Sequence, residues 1–109
     1  MSTPARDERD GPARWKYFRI REVKHARAWA AAGGIAVHEN LFKSRGRRTA
    51  HLLAPDEETL IAAALELGCE RWWIQRTRTV HYDLVEVHLE RALLLCRVAD
   101  GRTAGPTET

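Results

Sequence analysis

The sequence predicts a small α/β domain: a three-stranded mixed sheet packed by two to three helices. Three observations carry that expectation. Short apolar or β-branched runs at 35–38, 49–54 and 72–75 are interleaved with segments of helical periodicity. One of those segments has both start and stop signals. The link between the first two runs, residues 41–48, is too short for a crossover, so those runs should pair antiparallel.

Chain length sets the frame. A chain of 109 residues is expected to hold one domain. Residues 1–14 offer no apolar side chain larger than Ala after Met1, and residues 100–109 read DGRTAGPTET. Such composition cannot offset the entropy of ordering a chain, so both are expected to be tails around a single domain at 15–99. A domain of about 85 residues buries its surface only partially.

The first element is expected to be a helix. Trp15, Phe18, Ala26 and Trp29 lie on a rough helical stripe, the Ala-rich stretch 26–32 favours helix, and Gly33-Gly34 stops it. The helical reading holds from Glu22 onward; residues 17–23 could instead be extended, and Phe18, Ile20 and Val23 fit neither period well. The run at 49–54 alternates, with Ala50, Leu52 and Ala54 on one face and Thr49, His51 and Leu53 on the other. Asp56 is placed to cap the next helix, Glu57 and Glu58 suit its positive end, and Gly68 follows its last turn. Leu60, Ala63, Ala64 and Leu67 form its core stripe. The strand at 72–75 should follow by a right-handed strand-helix-strand crossover. His81-Tyr82-Asp83 then reads as a turn before a helix over 84–98, with Val85, Leu89, Ala92, Leu93 and Cys96 buried. Asp83 and Glu86 have the spacing of a capping box.

Charge and cysteine usage narrow the function classes. Net charge is +3, and Lys43, Arg45, Arg47 and Arg48 form a basic stretch without an acid. With Arg76 and Arg78, and with Trp72 or Trp73 as a stacking surface, they form a candidate interface for nucleic acid or a nucleotide. At most one of the two tryptophans should be presented. Residues 1–14 lack the apolar core of a signal peptide, and no apolar run spans a bilayer. Cys69 and Cys96 lack C-x-x-C spacing, so a cytoplasmic protein with buried thiols and no membrane partner is expected.

His51, Gln75, His81 and Asp83 are the candidate catalytic residues. Asp83 could orient His81 as a general acid/base, and with His51, Gln75, His38 or Glu39 the set could hold a divalent metal. Against this, Asp83 can serve as a helix cap and both histidines can be structural. No zinc spacing, nucleophile elbow or phosphate-cradling glycine loop is present. Ligands of open α/β sheets bind at the C-terminal strand edge. The His81-Tyr82-Asp83 turn is expected there, roughly 15–20 Å from the basic loop.

Residues 46–99 resemble the bacterial and phage family called domain of unknown function 4031. The matching residues are Gly46-Arg47, His51-Leu52-Leu53-Ala54, Asp56-Glu57-Glu58, Leu67-Gly68, Trp73-Ile74-Gln75, His81-Tyr82-Asp83 and Arg91-Ala92-Leu93, in the family's order and spacing. Two stretches depart from the pattern. The family's first strand reads Val-Tyr-Val-Asp-Asp where this chain has Ile35-Ala36-Val37-His38-Glu39-Asn40, and its helix ends in Gly-Ala where this chain has Cys96-Arg97. An acid pair is thereby reduced to one Glu beside a His. The resemblance carries no assigned activity. The reading is therefore a weakly nucleic-acid- or nucleotide-binding accessory protein. Alternatives are a hydrolase-like enzyme of phosphoesterase or nuclease type using His81, Asp83 and His51, and a protein interaction module.

Overall fold

Side-chain alternation along two central strands decides the architecture. The structure, a computed structural model, describes residues 14–99. In order these form β1 (Trp15–Phe18), α1 (Val23–Ala31), β2 (Ile35–Glu39), β3 (Thr49–Leu53), α2 (Glu57–Glu66), β4 (Gln75–Arg76), β5 (Val80–Val85) and α3 (Glu86–Ala99). Single 3-10 turns precede α1 and β4. The strands make one sheet in the order β1-β2-β3-β5-β4. Only β1 and β2 are parallel; every other neighbouring pair is antiparallel.

One face of the sheet is fully covered. Trp15, Ile35, Val37, Ala50, Leu52, Tyr82 and Leu84 point from it into a core with Leu60, Ala63, Ala64 and Leu67 of the α2 segment and Leu89, Ala92 and Cys96 of α3. Burying a side chain such as Leu52 or Leu84 contributes about 1.5–3 kcal/mol. The Asp56 carboxylate accepts the Thr59 backbone N–H at 2.7 Å and caps α2. The Arg91 guanidinium donates to the Leu67 carbonyl at 2.9 Å, tying α3 to the carbonyl end of α2.

The opposite face is only half covered. Helix α1 packs on β1, β2 and β3, where Ala26 and Ala30 sit on Phe18, Ala36 and Leu53. Methyl side chains at those positions bring the helix close to the sheet. Gly34 is equally required by close approach, since a Cβ there would strike the Trp29 ring. That ring donates its N–H to the Arg14 carbonyl at 2.8 Å. Across β5 and β4 this face lacks a covering helix among the described residues.

Several expectations are corrected. The sheet has five strands rather than three, because residues 15–18 are extended and pair with β2 instead of opening the first helix. The expected strand at 72–75 is a 3-10 turn (Arg71–Trp73) leading into the two-residue β4. His81-Tyr82-Asp83 is not a turn but lies within β5. Asp83 therefore does not cap the last helix, which starts at Glu86. The strand-helix-strand crossover after 49–54 is likewise absent among the described residues: β3 and β5 run antiparallel, and the parallel pair is β1 and β2, joined across α1. The antiparallel pairing of the runs at 35–38 and 49–54 holds. The tails at 1–14 and 100–109 lie outside the described residues except for Arg14, whose guanidinium donates to the Gly33 carbonyl.

Candidate metal centre

Strand register gathers the polar residues. On β3, His51 stands directly opposite Asp83 of β5 on one side and His38 of β2 on the other. His81 precedes Asp83 by two residues, so it shares the same face. All of these project from the half-covered face, at the edge of the area that α1 covers.

His51, His81 and Asp83 converge. Nε2 of His51 lies 3.4 Å from Oδ1 of Asp83, and Nε2 of His81 lies 3.3 Å from the same oxygen. The two imidazole rings are 4.3 Å apart between centroids and tilted by 47°. One ligand atom from each residue falls within 4.8 Å of the others. Two of the three edges thus match the roughly 3.3 Å edge of a tetrahedron built on metal bonds of about 2.0–2.1 Å.

The local chemistry suits coordination. Nδ1 of His81 lies 2.7 Å from the Thr79 carbonyl, which can only accept, so Nδ1 carries the hydrogen. In the neutral ring, Nε2 then presents a lone pair toward the Asp83 carboxylate. A cation placed between these two acceptors would be held by both. A backbone carbonyl fixing the far nitrogen is the usual outer support of a metal-bound histidine. Burial, reinforced by the neighbouring His81, holds His51 below the usual imidazole range, against the opposing pull of Asp83. The neutral, ligating form of His51 is thereby favoured at neutral pH.

The other candidates are excluded from the cluster or sit beside it. Gln75 stands opposite His81 in register, but its amide donates back to the Trp73 carbonyl at 3.5 Å. His38 is buried, and its Nε2 lies 3.0 Å from the Ile20 carbonyl, a structural role. Glu39 points to the other face, where its carboxylate accepts the Tyr17 hydroxyl at 2.8 Å and faces Arg48 at 3.9 Å. Desolvation, with Glu39 beside it, raises the Tyr17 hydroxyl.

A groove of about 270 Å³ opens over the two imidazoles of the cluster. His38, His51, Leu53 and His81 form its floor, Val23 and Arg27 of α1 one wall, and Thr77, Arg78 and Thr79 of the β4–β5 hairpin the other. Arg27 had no distinguishing sequence signal, because only tertiary packing brings its helix against this hairpin. A wider groove of about 470 Å³ runs between β1 and α1. Its charged groups are already engaged: Lys16 lies over the Phe18 and Trp29 rings, and Glu22 accepts the Arg19 N–H.

The basic residues do not form one surface. Lys43, Arg45 and Arg47 are exposed on the hairpin joining β2 to β3, with Arg48 held near Glu39. Arg76 makes a two-point pair with Glu57 at 2.8 and 3.1 Å, which lowers the Glu57 carboxyl. Arg76 and Arg78 flank the start of β5, whereas the 41–48 hairpin leads into Thr49, opposite its end at Val85. A six-residue strand separates the two groups by roughly 17 Å. The His51, His81 and Asp83 cluster lies mid-strand, closer to the basic hairpin than a turn at the strand end would be. Trp72 is 75% exposed, while Trp73 packs against the core and the His88 ring. No helix among the described residues is long and apolar enough to cross a membrane. No family model, curated protein or solved structure matches the chain.

Proposed function

We propose that the protein is a divalent-metal-dependent hydrolase of phosphoester type, with His51, His81 and Asp83 as ligands. The observation that carries this reading is a set of three protein ligands whose imidazoles line an accessible groove. Structural zinc sites are closed by four protein ligands; three plus an open position is the catalytic arrangement. The imidazole and carboxylate donors suit zinc, manganese, cobalt or iron. When bound, such an ion supplies a Lewis acid that brings the pKa of water toward neutrality. In the hydrolysis, the water oxygen bonds to phosphorus and the phosphorus–oxygen ester bond breaks. The proton released by water ends on the departing alcohol. Residues of the cluster are among those that carry the resemblance to the domain of unknown function 4031.

The test is turnover of p-nitrophenyl phosphate and bis(p-nitrophenyl) phosphate by chelator-treated protein with Zn²⁺, Mn²⁺ or Co²⁺ restored. Metal-dependent release of p-nitrophenol, reduced at least 100-fold in His51→Ala and Asp83→Ala, is expected. Protein that binds the ion and hydrolyses neither ester would overturn the reading.

A second reading, weak binding of nucleic acid, is favoured by the 41–48 hairpin. There Phe42 is 75% exposed beside Lys43, Arg45 and Arg47. It predicts oligonucleotide affinity that falls steeply with salt and weakens in the double variant Arg47→Ala, Arg48→Ala. No binding at low salt would remove it.

A further inference from the structure

The walls of the groove carry information that the metal ligands do not. Arg27 and Arg78 approach from opposite sides, one on α1 and one on the β4–β5 hairpin. Nη2 of Arg27 is 3.5 Å from the Thr79 hydroxyl, so its head reaches across the mouth. Of the two hairpin arginines, Arg76 is committed to Glu57, while Arg78 has no acidic partner among the described residues. No carboxylate among those residues lines the groove. The nearest carboxylate, Asp83, faces the two imidazoles at 3.3 and 3.4 Å and is not part of the lining, so the two guanidinium groups suit an anion.

We infer that the groove seats the phosphoryl group of a small phosphate monoester, held between Arg27 and Arg78 beside the metal cluster. The inference deepens the hydrolytic reading and rests on it for the reaction, though not for anion binding. In the metal-free protein, charge favours a monoester over a diester, since two fixed positive charges match a dianion and overcompensate a monoanion. Size favours a small molecule, because about 270 Å³ lies just below the range of drug-sized pockets. Thr79 links the two halves of the site: its hydroxyl meets Arg27 and its carbonyl accepts from the ligand His81. Hydrolysis there yields an alcohol and inorganic phosphate, with the proton from water leaving on the alcohol.

The test uses the full chain, stripped of metal with chelator and titrated calorimetrically with phenyl phosphate, diphenyl phosphate and inorganic phosphate. Zn²⁺ affinity is measured separately on the same preparations. Phenyl phosphate should bind at least tenfold more tightly than diphenyl phosphate. The double variant Arg27→Gln, Arg78→Gln should weaken it at least tenfold and leave Zn²⁺ affinity unchanged. Equal binding of monoester and diester, or wild-type monoester binding by the double variant, would overturn the assignment. So would absence of monoester binding in protein that takes up Zn²⁺. Tighter binding of inorganic phosphate than of phenyl phosphate would assign the groove to the free anion and overturn the ester. Monoester binding that depends on the two arginines in a protein that takes up no Zn²⁺ would support the anion site and refute the metal reading.

Discussion

The two faces of one sheet have been put to different uses. Along β3 and β5, Ala50, Leu52, Tyr82 and Leu84 go to the face sealed by α2 and α3. The alternate residues His51, His81 and Asp83 go to the face that α1 leaves half open. Stability is therefore concentrated on one side of these strands and polar chemistry on the other, with the period-two alternation of the strand as the divider. A narrow Ala-based helix suffices for β1 to β3, and stopping short of β5 is what leaves room for a groove.

Substitutions at adjacent positions should break this comparison in opposite ways. The largest effect is expected at the cluster: Asp83→Ala or His81→Ala should weaken Zn²⁺ binding by about 100-fold or more, since even outer supports of a ligand are worth 10–100-fold. Calorimetric titration reads this directly. Next, Leu52→Ala should cost about 2–5 kcal/mol in urea unfolding, because Leu52 is fully buried on the sealed face. His51→Ala, one residue earlier, should cost less than about 1 kcal/mol in metal-free protein. Similar costs at positions 51 and 52 would contradict the division of faces. Tyr82→Phe should lose about 1 kcal/mol, because its buried hydroxyl donates to the Arg71 carbonyl at 2.7 Å.

The smallest effect is pH-dependent and lies at the helix cap. The Thr59 N–H holds the Asp56 carboxyl below its ordinary value. A folded pKa below the unfolded one, about 3.9 for Asp, means that the stabilisation is complete above that value. It is then lost as the pH falls through the folded value. The difference in Tm between wild type and Asp56→Ala should accordingly narrow on acidification from pH 6 toward about pH 2. A constant difference would show that the charged cap does not contribute.

Local chemistry was legible in the sequence where a residue acts on its own neighbours. Asp56, Glu57 and Glu58 announced α2, and the alternation at 49–54 announced β3 with its correct faces. The antiparallel pairing of β2 and β3 followed from loop length alone. The site was harder because it depends on register. Nothing within 35–53 indicates that His51 will face Asp83, thirty-two positions on. The Asp83–Glu86 spacing imitates a capping box, which disguised the alternation of Val80, Tyr82 and Leu84 that makes this segment a strand. Strand β1 was missed because four residues are too few to distinguish an extended period from a helical one. Its strand character comes from pairing with β2.

The central claim is that His51 and His81, and not the other imidazoles, bind a metal together with Asp83. The chain has five histidines, each observable by its ring nitrogens in a long-range ¹H–¹⁵N spectrum. His81 should show a hydrogen on Nδ1 before any metal is added. One equivalent of Zn²⁺ should then shift Nε2 of His51 and His81 and leave His25, His38 and His88 in place. Zn²⁺ that moves none of the rings, or that moves His25 or His88 instead, would contradict the account.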